Sequence, residues 1–329
     1  MPRRIRYDAW PAADGRLTRR DHLTTWTSPW CEPGFALTDL VASWRAGTPT
    51  GSWIEVAAQA GGSNRWHTLA HWQAGRRAPR RTSVDGDAEV DTDIWCPTGG
   101  ATAYRLRVGL HPSPAGHLPV LGHVGAVVAA GPVRTTTSSP LRRTARVLDV
   151  PRLSQMTWKH VGGGGWCSPT SVSMVLAHAG TLPPATDIPA AAAEVRDPAY
   201  GAGNWSFNTA WAAALAGNAF VTRLADLRDA ERFVDAGIPL VASVAYPPGA
   251  LRGAPTHGTT GHLVVIRGFT ATGDVVTNDP GAPTDRSVRR TYDRGQLERA
   301  WLHGSGGLVY VVHRADQALP RGPFSGAAR

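Results

Sequence analysis

Cys167 is the side chain in this sequence with the clearest capacity for chemistry. It follows a run of four glycines (residues 162–165) and Trp166, and it immediately precedes a predicted helix over residues 168–179. Unpaired N–H groups and the dipole at a helix start stabilise a thiolate, which lowers the pKa of the thiol. Because the thiolate is the reactive form, this pattern predicts nucleophilic catalysis by Cys167. A small buried side chain at a helix start is the alternative interpretation.

A histidine and an aspartate occupy matching positions of a predicted hairpin further along the chain. His262 begins the apolar strand of residues 262–268, and Asp279 follows the strand of residues 274–278. With the turn between these strands, both side chains lie at the open end of the hairpin. There the carboxylate can fix the tautomer of the imidazole and stabilise the imidazolium. Cysteine, histidine and aspartate in this arrangement predict nucleophilic acyl transfer.

Acyl transfer also needs hydrogen-bond donors for the oxyanion that develops on the substrate. The backbone N–H of Cys167 and the side-chain amide of Gln155, in the preceding loop, are the candidates. Trp166, Asn204 and Trp205 are candidates for lining a substrate cleft, although packing roles are equally compatible with their positions. No pair of cysteines has metal-ligand spacing, so we expect neither a metal site nor a cofactor.

The first part of the chain, residues 1–130, has the pattern of a β domain. Short segments alternate apolar with polar side chains and are separated by turn residues. These segments cover residues 40–44, 52–56, 66–70 and 104–108. They predict an all-β sandwich of the jelly-roll kind. Tryptophan is dense here, and the pattern favours indoles that fill the core over exposed indoles that bind a polysaccharide. The indoles in question are Trp44, Trp53, Trp66, Trp72 and Trp95.

The rest of the chain has a different pattern. Residues 131–146, rich in Thr, Ser, Pro and Arg, predict an interdomain linker, and residues 316–329 predict a flexible tail. Between them, residues 147–315 show helical patterns first and strands afterwards, which predicts an α+β domain with the papain-like fold as one solution. The helical patterns lie at 168–179, 207–215 and 226–236, and the strands lie at 240–244, 262–268, 274–278 and 307–312.

Composition restricts the partners and the location. The 329 residues carry a net charge of +9, almost entirely from scattered arginines. This distribution favours soluble charged loops over a nucleic-acid site, and a patch for an anionic envelope polymer stays open. No run is apolar and long enough for a signal sequence or a bilayer span. We therefore expect a monomer that is cytoplasmic as given, or secreted if the start of a precursor is missing. Cys31 and Cys96 are compatible with one disulfide or with two thiols.

Four motifs carry a family resemblance. The segments VPRLSQ, GGGGWCSPTSVSMVL, GHLVVIRGF and VTNDP resemble the bacteriocin-processing cysteine peptidases of family 39, and more closely their stand-alone bacterial relatives. The resemblance covers about residues 147–312. It implies a papain-like fold, with Cys167 as nucleophile, His262 as general base, Asp279 as its partner and Gln155 in the oxyanion hole. The tryptophan-rich N-terminal part is similar to a β domain often fused to the stand-alone members.

The sequence also departs from that family. It has Cys-Ser-Pro where many relatives have Cys-Gly-Pro, and it lacks the membrane helices and ATPase domain of the transporter-linked members. The expected function is hydrolysis of a peptide or amide bond, in a peptide or protein substrate, through an acyl-enzyme at Cys167. An acyltransferase or deamidase with the same three residues is one alternative. A protein that binds cell-envelope polysaccharide, with an idle second domain, is the other.

Overall fold

The first part of the chain consists of two antiparallel sheets. In this computed structural model, residues 3–21, 23–74 and 83–324 are described. One sheet has the strand order β1-β11-β4-β9-β8-β7 and the other has the order β2-β3-β10-β5-β6. The strands are β1 (Arg4–Pro11), β2 (Arg16–Arg20), β3 (Leu23–Thr27), β4 (Asp39–Gly47), β5 (Trp53–Ala60), β6 (His67–Trp72), β7 (Ser83–Asp85), β8 (Ala88–Asp91), β9 (Ile94–Pro97), β10 (Tyr104–His111) and β11 (Val120–Ala130).

The tryptophans fall into two groups in these sheets. Trp44 of β4 and Trp72 of β6 are buried, and their rings meet at a centroid distance of 6.2 Å and an angle of 67°, so they join the two sheets. Trp95 of β9 is also fully buried. Trp53 and Trp66, by contrast, are only half-buried. Core filling therefore accounts for three of the indoles named above, and two remain accessible.

The second part of the chain combines five helices with one sheet. The sheet has the order β13-β18-β14-β15-β16-β17, and β12 pairs with β15 beside it. The elements are β12 (Arg146–Val147), α1 (Cys167–His178), α2 (Ile188–Val195), α3 (Trp205–Ala216), β13 (Asn218–Arg223), α4 (Leu227–Asp235), β14 (Leu240–Tyr246), β15 (Thr259–Phe269), β16 (Val275–Asn278), β17 (Arg289–Tyr292), α5 (Arg294–Ser305) and β18 (Leu308–His313). None of the helices in the described ranges is both long and apolar enough to cross a bilayer.

Helix α1 lies in the interior of this part. Its residues from 168 to 176 are all buried, although the sequence pattern predicted an apolar stripe on one face only. Two of its buried hydroxyls bond to the sheet, because Ser168 shares a hydrogen bond with the Tyr310 hydroxyl at 3.0 Å and Ser171 donates to the Leu263 carbonyl at 3.3 Å. The N-terminal part of α1 is thereby held against the sheet that contains β15.

The two parts of the chain share a continuous core. Phe207 of α3 packs against Trp44 and Trp72, with ring centroids 6.3 and 5.3 Å apart. Beside it, the Ser206 hydroxyl donates to the Ala42 carbonyl at 2.7 Å. Such an interface favours one rigid unit over two loosely tethered ones.

The predicted linker, residues 131–146, is docked along the second part of the chain. Its Ser138 N–H donates to a carboxylate oxygen of Glu298 at 2.6 Å, and the Arg294 guanidinium donates to the Ser138 carbonyl at 2.7 Å. Arg294 is itself buried, and its Nη1 lies 2.7 Å from Glu231 Oε1. The segment buries little apolar surface, but it satisfies buried charges that would otherwise be costly.

The prediction of a flexible tail over residues 316–329 was wrong for the described residues up to 324. Phe324 is 1% exposed and packs against Phe233, with ring centroids 5.4 Å apart. Its carbonyl accepts a hydrogen bond from Thr222, and the Pro323 carbonyl accepts one from the Tyr7 N–H at 2.7 Å. A single aromatic side chain has no periodicity, so the sequence pattern gave no sign of this anchor. Residues 325–329 lie outside the described residues.

The shared core makes a prediction about stability. Phe207→Ala should lower the free energy of unfolding by about 3–5 kcal/mol, because it leaves a cavity beside two buried indoles. Thermal unfolding should stay a single transition, since both parts lose the same contacts. Calorimetry tests this, with Leu118→Ala as the control because Leu118 is 41% exposed. Two resolved transitions, of which only one shifts, would contradict a common core.

Candidate active site

The glycine run places Cys167 at the N-terminus of α1. Gly162 has a φ of +108°, a left-handed conformation that side chains disfavour. A Cβ atom at Gly163 would collide with the backbone of Gln155 and Trp158. The chain therefore needs glycine at both positions to turn into the helix. Cys167 is half-buried, and its N–H, as the first of the helix, has no partner within it.

The β15–β16 hairpin brings His262 and Asp279 into contact. Val265 of β15 pairs with Asn278 of β16, so the two side chains lie together at the open end of the hairpin, as the sequence pattern predicted. His262 Nε2 lies 2.7 Å from Asp279 Oδ1. His262 is 6% exposed and Asp279 is completely buried. The carboxylate thus orients the imidazole and leaves Nδ1 for the thiol.

Both oxygens of Asp279 have further partners. The Tyr292 hydroxyl donates to Oδ2 at 2.7 Å, and the Gly281 N–H donates to Oδ1 at 3.0 Å. Gly281 also packs closely, because a Cβ atom there would lie 3.2 Å from Asp279 Oδ1 and 3.3 Å from His262 Cε1. Sequence reasoning did not identify Tyr292 or Gly281. Gly281 follows Asp279-Pro280 closely enough to have been considered, whereas Tyr292 gave no local signal.

The electrostatics of the three groups favour a charged pair. Burial acts to raise the pKa of the Cys167 thiol, but hydrogen bonding to His262, its positive charge and the Leu263 N–H outweigh burial, so the pKa lies below its ordinary value. Burial also acts to lower the pKa of His262, but the charge and hydrogen bond of Asp279 and the thiolate raise it above the ordinary value. Thiolate and imidazolium therefore stabilise each other.

Gln155 contacts the glycine run that precedes Cys167. It is 3% exposed and opens a short 3₁₀ segment, Gln155–Val161. Its side-chain Nε2 donates to the Gly164 carbonyl at 2.7 Å, and its backbone N–H donates to the Pro280 carbonyl at 3.0 Å. The amide is thus held between the glycine run and the loop after Asp279. The side-chain amide nitrogen carries two N–H groups, and the hydrogen bond to Gly164 uses one of them.

A cleft of about 820 Å³ opens in front of Cys167. One wall comes from α2 and the loop that leads to α3, and the other comes from β14, β15 and their connection. Small and apolar side chains dominate the first wall, with Arg196 and Tyr200 at its rim. The residues that line the cleft include Gln155, Trp166, Cys167, Pro189, Ala192, Ala193, Arg196, Tyr200, Trp205, Val244, Thr256, His262, Leu263 and Gly281.

The three residues predicted for the cleft have different positions. Trp166 and Trp205 line it, whereas Asn204 is buried behind it. Asn204 caps α3, because its Oδ1 accepts from the Phe207 N–H at 3.0 Å, and its Nδ2 donates to Asp197 at 3.2 Å. Asn204 therefore holds the start of α3 and the loop that carries the cleft wall.

The first part of the chain also supports this wall. Asp93, in the turn between β8 and β9, accepts a hydrogen bond from the Trp205 N–H at 2.5 Å. Its carboxylate thus meets the N-terminus of α3, where negative charge is favoured. Because the two residues are 112 positions apart, no local pattern could have linked them.

Within the described ranges, no cluster of three His, Cys, Asp or Glu side chains is suited to hold a metal.

Two family models match this chain. Residues 147–307 match the Peptidase_C39 like family, and residues 5–129 match the Peptidase C39 N-terminal domain. The two ranges together cover most of the sequence. The chain belongs to the peptidase C39-like family. A crystal structure described as a C39-like peptidase from Bacillus anthracis is also similar, with 18% identity, a TM-score of 0.39, and coverage of 52% of this chain and 98% of that one. No curated protein matches the chain.

The directions of the pKa shifts predict that Cys167 is the most reactive of the three thiols in this C39-like chain. Iodoacetamide should alkylate Cys167 at pH values where ordinary thiols, with a pKa of about 8.5, are protonated and react slowly. Burial raises the pKa of Cys96 to about 11 and that of Cys31 to about 12, so both serve as internal controls. In His262→Ala, the Cys167 thiol stays buried but loses the partner that stabilises its thiolate. The acid limb of the pH profile of Cys167 alkylation should therefore move to higher pH. Peptide-resolved mass spectrometry follows all three thiols, and equal rates for them would contradict the assignment.

The close packing of Gly281 makes a second prediction for the C39-like site. Gly281→Ala should displace the His262–Asp279 pair by a few tenths of an ångström and reduce the rate of Cys167 alkylation at neutral pH by about tenfold. Gly261→Ala is the matched control, because a Cβ atom at Gly261 meets no atom within 4 Å. Equal rates in both variants would show that the pair tolerates the methyl group.

Proposed function

We propose that this chain is a cysteine peptidase-like hydrolase that cleaves a peptide or amide bond through a thioester on Cys167. The observation that carries the proposal is the continuous contact from the Cys167 thiol through His262 to Asp279 at the base of an open cleft. Family membership supports peptidase chemistry on these residues.

The reaction follows from the protonation states of the pair. The Cys167 thiolate attacks the substrate carbonyl carbon, and the carbonyl electrons move to oxygen. When the tetrahedral intermediate collapses, the C–N bond breaks and the imidazolium of His262 gives its proton to the leaving amine. Water then attacks the thioester and returns its proton to His262, which releases the acid and restores the thiolate. The raised pKa of His262 keeps that proton available at neutral pH.

Two donors would stabilise the oxyanion. The Cys167 N–H has no partner within the helix, and the Gln155 amide retains one N–H after its bond to Gly164. Together they form the pair of donors that acyl transfer requires. Trp166 and Trp205, which line the cleft, would contact the substrate on either side of the scissile bond.

We also infer that helix α1, which starts at Cys167 and packs against the sheet that carries His262, makes residues 147–315 a papain-like domain. Residues 1–130 would form a β-sandwich domain, and residues 131–146 would connect the two. The strand pairing supports this division, because none of the sheets in the described ranges combines strands from both parts. The matched family ranges fall within the same limits.

Cys167→Ala tests the proposal directly. Turnover of a peptide library should fall by at least about 10³-fold, since removal of the nucleophile leaves only binding and the oxyanion donors. Cys96→Ala, which changes another thiol in the same way, should retain full activity. Mass spectrometry of the products with and without an added amine identifies the acceptor. Acid products alone indicate hydrolysis, whereas amide products would contradict it in favour of acyl transfer.

A further inference from the structure

The outer face of the sheet β2-β3-β10-β5-β6 carries alternating indole and guanidinium groups. The Arg105 guanidinium carbon lies 4.4 Å from the ring centroid of Trp30 and 5.1 Å from that of Trp66. The Arg107 guanidinium carbon lies 4.5 Å from the Trp66 ring. We call Trp30, Arg105, Trp66 and Arg107 the Trp–Arg stack. It belongs to neither the shared core nor the cleft.

The stack holds two arginines in a fixed arrangement with unused donors. Arg105 Nε donates to Gln59 Oε1 at 2.7 Å, and Arg107 donates to Glu55 Oε1 at 3.3 Å. A guanidinium has five N–H donors, so each retains donors for an added acceptor. Because the indoles already restrict both side chains, little side-chain entropy is lost when an anion binds.

A groove of about 630 Å³ continues from the stack toward the edge of the sheet. Its lining combines hydroxyl groups with positive charge: Thr18, Thr25 and Thr27 lie between Arg107 and Arg20. Arg16 extends the charge along β2, an edge strand in which every residue is exposed. Sugar hydroxyls and scattered anionic groups match this lining.

We propose that this face binds a polysaccharide that bears carboxylate groups. The arginines would donate hydrogen bonds to the carboxylates, and the threonine hydroxyls would form hydrogen bonds with the sugar hydroxyls. A nucleic acid fits less well, because duplex DNA carries one charge per ~1.7 Å and Glu55 and Asp21 border the same surface. A polysaccharide with one charge per one or two sugars leaves room for both carboxylates. The site is independent of the proposed catalysis.

The test uses the whole chain and three probes: polygalacturonate, neutral dextran and a DNA duplex. The native chain should bind polygalacturonate more tightly than either of the others, with affinity that falls as salt screens the charges. Arg105→Gln with Arg107→Gln should weaken binding by about tenfold or more, because charge-assisted hydrogen bonds are lost. Arg142→Gln with Arg143→Gln is the matched control, since both residues are exposed and the change in net charge is the same.

A second double variant distinguishes loss of ligand contacts from misfolding of the Trp–Arg stack. Arg16→Gln with Arg20→Gln changes only the exposed edge strand, so binding should fall while the melting temperature stays constant. Equal losses in the face and control variants would show non-specific attraction by a basic chain and overturn the proposal. Equal binding of dextran, or tighter binding of DNA, would overturn it as well.

Discussion

The buried carboxylate of Asp279 is the constraint on which the site depends. A charged side chain that is buried away from water is tolerated only when it is paired and hydrogen-bonded. Here His262, Tyr292 and the Gly281 N–H satisfy the two oxygens, and no freedom to rotate is left. The imidazole orientation follows from that fixed carboxylate, and the thiolate follows from the imidazolium. The three strands β15, β16 and β17 have to be in register before any of this can form.

The cleft depends on long-range contacts as well. Its first wall rests on α3, whose N-terminus is held by Asn204 from within and by Asp93 from the first part of the chain. The packing of Phe207 on two indoles fixes the same helix from the side. The β-rich first part is therefore a structural support of the cleft, in addition to any binding role of its outer face.

Sequence patterns predicted the elements that carry strong local signals. The helix at Cys167 and the hairpin with His262 and Asp279 were found because glycine, proline and apolar alternation mark them. Helix α2, with four consecutive alanines, and α5, with two internal glycines, lack a clear period and were missed. Tyr292, Asp93 and Phe324 gave no signal, because their partners are distant in sequence and only the folded chain brings them together.

The position of Phe324 has a consequence for the order of folding. Pro323 bonds to Tyr7 in the first strand, and Phe324 packs under α4 and bonds to β13. During synthesis, the N-terminal sheets are complete some 200 residues before this contact can be made. The surfaces of β1, β13 and α4 that contact residues 323 and 324 therefore stay uncovered until residue 324 has emerged, so this contact forms well after the N-terminal sheets are complete.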